Sequence, residues 1–159
     1  MDNLFAPWRM QYISAPKEGD GCIFCDLPLE NRDEENLILF RGDSCFVIMN
    51  AFPYNPGHLM VAPYRHTAEY EALGNEELME MQLLAGRCIR ALKQSMSPQG
   101  FNMGVNLGKV AGAGFDGHLH LHIVPRWNGD TNFMPVFSEV RVVAECLGAT
   151  YKKLKEAWA

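Results

Sequence analysis

The segment Gly117-His118-Leu119-His120-Leu121-His122-Ile123-Val124-Pro125-Arg126 constrains this chain more than any other. Its histidines recur at spacing two, and so do the apolar residues between them. Successive side chains of a β-strand point to opposite faces. A strand here therefore carries His118, His120 and His122 on one face and buries Leu119, Leu121 and Ile123 behind it. Neighbouring rings on such a face stand roughly 6 to 7 Å apart. One imidazole can then react while its neighbours hold a metal or hydrogen-bond a substrate. Three of the five histidines of the protein lie here. Each brings a polar ring that needs a partner when buried, which weighs against a purely packing role.

The remaining elements follow from turn and capping signals. Leu37 to Arg41 and Cys45 to Asn50 are short β-prone runs around the turn pair Gly42-Asp43 and predict a hairpin. Asn55-Pro56-Gly57 is a second turn, and His58 to Ala62 a third strand ended by Pro63. Asn75 is a candidate N-cap, with Glu76 and Glu77 in the first turn, where acid suits the helix dipole. Leu78, Met81, Ala85, Cys88 and Leu92 then form one apolar helical stripe, and Ser97-Pro98 with Gly100 stops it. Phe101 to Leu107 and His118 to Val124 complete five strands, and a last helix is expected at about Ala144 to Trp158. Strands in hairpin succession with helices set apart predict an α+β fold, a mainly antiparallel five-stranded sheet with one long helix and a C-terminal helix.

A length of 159 residues suits one domain with a proper core. We expect a single domain over residues 1–159, with an irregular arm over 1–21 and a C-terminal extension over 138–159. A net charge of -5 counts against a general nucleic-acid binder, though a local site can still bind a small phosphorylated ligand. No stretch approaches a membrane span or a signal peptide. Five cysteines, an odd count without a secretion signal, predict reduced thiols and a cytoplasmic protein.

Just before the histidines, Gly108, Gly112, Gly114 and Gly117 fall within ten residues, with Lys109 among them. Such a loop allows positive φ and a close approach of backbone N–H groups to an anion. It is no P-loop, since no Gly-Lys-Ser/Thr is present and a strand follows. Alone it fits a plain turn equally well; before three histidines it fits a phosphate cradle. Near the N-terminus, Cys22-x-x-Cys25 has the spacing of half a tetrahedral zinc site. Cys45, Cys88 and Cys146 stand alone and read as core residues.

The run His118-Leu-His120-Leu-His122-Ile-Val resembles the motif of the histidine-triad family of nucleotide hydrolases and transferases. The likeness extends to Phe46-Val-Ile-Met-Asn50, Pro53-Tyr-Asn-Pro-Gly-His58, Val61-Ala-Pro63 and His66. Phe101 to Gly108 and Pro125-Arg126-Trp127-Asn128-Gly129-Asp130 are similar to the bacterial diadenosine tetraphosphate phosphorylase and hydrolase branch. In all it spans about Cys22 to Pro135.

The resemblance implies that His120 attacks the α-phosphorus of a dinucleoside polyphosphate and forms a nucleotidyl-histidine. His122 would then hydrogen-bond the phosphate or leaving group, Asn50 would face the ribose, and Asn106 with the loop of Gly108, Gly112 and Gly114 would hold phosphate oxygens. Lys109 is either a phosphate contact or a solvated loop lysine. Zinc-containing members imply a structural Cys₂His₂ site of Cys22, Cys25, His66 and His118. His58 is left as a packed, hydrogen-bonded histidine. Family members of this size pair into homodimers, to which the aromatics Phe5, Trp8 and Trp158 could contribute. Inorganic phosphate or water could be the acceptor, with Lys109 and Arg126 as donors to the former. Two other enzyme readings stay open: a nucleoside phosphoramidase-type hydrolase, and a metallohydrolase binding catalytic zinc through His118, His120 and His122. A nucleotide-binding scaffold without turnover is the non-enzymatic alternative.

Overall fold

A computed structural model describes residues 21–130 and 145–158. Its strands are β1 (Ile38–Arg41), β2 (Cys45–Met49), β3 (Leu59–Pro63), β4 (Gly100–Val105) and β5 (Leu121–Arg126). All neighbours pair antiparallel in the order β1-β2-β3-β5-β4. The α+β fold with five antiparallel strands is thus the one expected. The arm over 1–21 and the start of the C-terminal extension, 138–144, lie outside the described residues apart from Gly21.

Gly42-Asp43 forms the first turn, and its backbone is held from a distance. The Glu80 carboxylate accepts from the N–H groups of Asp43, Ser44 and Cys45 at 2.8, 2.5 and 2.8 Å. Strand β1 starts one residue later than predicted, because Leu37 takes the left-handed conformation at φ 60°.

Helices α1 (Ile23–Asp26), α2 (Asn75–Met96) and α3 (Leu147–Glu156) complete the fold. The α2 cap is Gly74 rather than Asn75, which is the first helical residue. The Glu77 carboxylate reaches back to the Gly74 N–H at 2.8 Å. The helix stops at Ser97, in the left-handed conformation at φ 48°. Met81, Ala85, Cys88 and Leu92 are buried as the periodicity predicts, and Leu84 and Ala91 widen the stripe.

The two sheet faces have different tasks. One face, carrying Leu39, Val47, Met49, Leu59, Val61, Leu121 and Ile123, packs against α2 and α3 in the main core. Full burial of each such aliphatic contributes about 1.5–3 kcal/mol. The other face carries Ile38, Phe46, Ile48, Met60 and Ala62 and is covered in part by Cys22 and Phe24. Helix α3 lies along β1, where Tyr151 Oη donates to Ile38 O and Lys155 Nζ to Leu39 O, both at 2.9 Å. Trp158 is buried there against Phe40, with the Arg87 guanidinium 4.3 Å from the Phe40 ring and 4.9 Å from Trp158. The expected role of Trp158 in dimerisation is therefore corrected: it belongs to the protein's own core. Phe5 and Trp8 lie outside the described residues. Among the described residues no helix is long and apolar enough to cross a membrane.

Candidate active site

Only the second half of the histidine motif is ladder-paired strand. β5 begins at Leu121, not His118: the register with β3 ends at Val61↔Leu121 although β3 runs on to Pro63, which has no N–H to offer. Leu119 N–H instead donates to Thr67 O at 2.7 Å. The alternation survives this departure. Leu119, Leu121 and Ile123 enter the main core, while the imidazoles turn to the opposite side. His120 and His122 meet edge to face with ring centroids 4.7 Å apart.

The hydrogen bonds define which ring nitrogen carries the proton in each neutral imidazole. His120 Nδ1 lies 2.8 Å from the His118 carbonyl, which can only accept. Nδ1 is therefore the donor, and Nε2 keeps its lone pair. His58 Nδ1 accepts the Tyr54 N–H at 3.1 Å, so its proton sits on Nε2, which donates to His122 Nδ1 at 2.9 Å. His122 must then carry its own proton on Nε2. That atom is buried and has no partner among the described residues. A lone pair on His120 Nε2 beside an unused donor on His122 is an arrangement suited to attack on an electrophile with stabilisation of the charge that develops.

Electrostatics disfavours the charged form of the three motif imidazoles. Burial holds His118 and His120 below the ordinary imidazole value, against the pull of their backbone hydrogen bonds. His122 is pushed down to about 4, by burial first and then by His120. Between pH 6.5 and 4 the unfolded chain takes up a proton that folded His122 refuses, so stability falls as pH falls through that window. Thermal melts across it are expected to show a declining Tm, with a shallower decline in His122→Asn. Equal slopes in the two proteins would remove His122 as the cause.

His118 faces elsewhere. Its Nε2 donates to Pro63 O at 2.8 Å, which leaves the Nδ1 lone pair 3.2 Å from Cys22 Sγ and 3.6 Å from Cys25 Sγ. His66 Nδ1 lies 3.4 Å from Cys25 Sγ. Ligand atoms of Cys22, Cys25, His66 and His118 all fall within 4.8 Å of one another. In a tetrahedral zinc site sulfur and nitrogen ligands stand roughly 3.6 Å apart, so these donors fit a metal in number, kind and spacing. Burial, then the neighbouring Cys22, pushes the Cys25 thiol up to about 11, a preference a bound cation would invert. Among the described residues this is the group with metal-holding geometry, and His120 and His122 are not in it. The metallohydrolase alternative is corrected accordingly, because the three triad imidazoles do not converge on one ion.

The other expected site residues are placed unevenly. Asn50 points into the turn before β3, its Oδ1 accepting from Phe52 N–H at 2.8 Å and its Nδ2 lying 3.3 Å from His58 Nδ1. Asn106 Nδ2 reaches Gly112 O at 3.5 Å and closes the glycine loop. Gly108 and Gly112 take φ 79° and 87°, a backbone need that explains glycine there. At Gly114 open space surrounds the position a side chain would take. Lys109 is 82% exposed, 4.0 Å from Asp116. Arg126 is bound to Asp130 at 2.6 Å and to Asn102 at 2.7 Å, which corrects its expected part in an anion cradle. Sequence reasoning missed His58 as a partner of His122. The signal was the face: His58 has the parity of Met60, which pairs with His122 across β3 and β5.

Fold and site together define an α+β protein with a histidine-lined site beside a cysteine-histidine cluster. Residues 31–129 match the HIT domain, and the chain belongs to that family. It is 39% identical to an AP-4-A phosphorylase of Mycobacterium tuberculosis, over 100% of this chain and 85% of that protein. It is 30% identical to a bis(5'-adenosyl)-triphosphatase of Dictyostelium discoideum, over 65% of this chain and 69% of that protein. Among solved structures it resembles a Zn-bound histidine triad family protein from Mycobacterium smegmatis, at TM-score 0.70 and 27% identity over 87% of this chain and 93% of that one.

Proposed function

We propose that the chain is a HIT-type nucleotidyl transferase that cleaves dinucleoside polyphosphates such as diadenosine tetraphosphate with inorganic phosphate as acceptor. The observation that carries this is the ring orientation: His120 Nδ1 is committed to the His118 carbonyl, so Nε2 is the free nucleophile. Its lone pair forms a P–N bond to the α-phosphorus while the bond to the bridging oxygen breaks. The His122 Nε2–H donates to the departing oxygen or the phosphoryl group. An acceptor oxygen then attacks the nucleotidyl-histidine, the P–N bond breaks and His120 is restored. Asn50 serves the ribose, and Asn106 with Gly108, Gly112, Gly114 and Lys109 serves the phosphates. The 39% identity to a named phosphorylase over the whole chain supports phosphate over water.

The product pattern tests the acceptor. ADP plus ATP from diadenosine tetraphosphate, formed only with phosphate present, is the expected result. AMP plus ATP unchanged by phosphate would mean a hydrolase, leaving the nucleophile assignment intact.

His58 orients His122, and His58→Phe keeps the ring volume while removing the donor. Turnover is expected to drop on the order of 10- to 100-fold with little change in KM. A kcat equal to wild type would refute that role.

The same reading gives Cys22, Cys25, His66 and His118 one zinc ion with a structural task, tying the α1 turn to the catalytic strand. Reduced cysteine ligands suit a cytoplasmic protein. The chain acts as one domain over residues 1–159 and as a homodimer paired through strand β4, whose exposed Met103 supplies apolar surface at the sheet edge.

A further inference from the structure

We infer, on the reading of His120 as attacking group, that Phe24 is a positioning residue that clamps the nucleophilic ring from within the cysteine turn. The torsion that turns an imidazole about its Cβ–Cγ bond is broad and roughly two-fold, so one hydrogen bond at the ring edge fixes it loosely. Phe24 supplies the second constraint. Its ring stacks on His120 with centroids 4.6 Å apart and planes at 26°. It lies 5.2 Å from His118 and is itself met edge-on by Phe115 of the glycine loop at 6.0 Å.

Phe24 is 2% exposed, too buried to meet substrate. It sits between Cys22 and Cys25 in α1, whose turn is closed by Cys25 N–H and Asp26 N–H donating to Cys22 O at 2.9 and 2.8 Å. Both holds on His120 thus start at the Cys₂His₂ cluster. One runs through the His118 carbonyl to the ring edge, the other through Phe24 to the ring face. Swinging the ring away breaks the bond and the stack together. The metal-competent cluster therefore fixes the direction of the His120 lone pair as well as the fold around it.

The test is Phe24→Leu in the zinc-loaded, full-length protein, which keeps apolar volume and removes the flat face. Formation of the nucleotidyl-enzyme in a single turnover is expected to slow about 10- to 100-fold, with nucleotide affinity within about threefold and zinc content unchanged. Nitrogen-15 NMR of the imidazoles gives a readout independent of turnover: one His120 tautomer, protonated at Nδ1, in wild type, and a mixture in the variant. Phe24→Met repeats both measurements where the leucine protein does not fold. A folded, zinc-loaded variant with a single His120 tautomer and wild-type adduct rate overturns the clamp. A wild type that forms no adduct counts against the nucleotidyl-transfer reading instead, while the tautomer comparison still decides the role of Phe24.

Discussion

His120→Ala is expected to lower turnover of diadenosine tetraphosphate by about 10⁴-fold or more while nucleotide affinity stays near wild type. The size follows from the chemistry. Without the imidazole there is no lone pair to form the P–N bond, and among the described residues neither neighbouring imidazole can take its place. His122 Nε2 carries a proton, and the His118 Nδ1 lone pair is turned into the cysteine cluster. His122→Ala removes a stabilising donor rather than the attacking group, so residual activity, down about 10²- to 10³-fold, is expected. Rapid quench with labelled substrate should trap an acid-labile adduct on wild type and His122→Ala but not on His120→Ala. Wild-type rates in His120→Ala would sink the mechanism.

The second large effect concerns the metal. Protein purified without added metal is expected to hold about one zinc per chain, and Cys22→Ser to lose it. A site contributing about 4 kcal/mol, well under the 10–16 kcal/mol apparent for zinc-finger peptides, would lower Tm by roughly 8–16 °C at about 2–4 °C per kcal/mol for a chain of this size. Cys22 is buried and aimed at His118, so serine there also leaves the Nδ1 lone pair poorly partnered. Elemental analysis with paired melts checks both outcomes. A metal-free wild type with an undiminished Tm would refute the site.

Much of this architecture could be read from local pattern. The alternation through His118 to Ile123 predicted which side chains face the core, and Gly42-Asp43 predicted the first hairpin. What could not be read depends on partners remote in sequence. Where β5 begins is decided by Pro63 and Thr67, which compete for the backbone before Leu121. The proton on His122 is decided by Tyr54 through His58, a chain visible only once β3 and β5 are in register. Cys22 and Cys25 announced half a site by spacing, whereas His66 and His118 entered only by family resemblance. Arg126 and Asp130 are four residues apart with opposite charge, and the pair that occupies the Arg126 guanidinium was legible in principle.

The two borders of the sheet are not equivalent. Along β1, Tyr151 and Lys155 occupy backbone carbonyls and Trp158 packs alongside, so that border is sealed by the chain's own C-terminal helix. Along β4, no strand pairs with the outer side among the described residues. Unpaired strand borders are templates for fibre growth. A molecule with a single open border cannot propagate: once two copies join border to border about a two-fold axis, both templates are consumed. On the proposed pairing through β4, sealing the β1 side would make assembly self-terminating, and loosening α3 would expose a second border that permits endless addition.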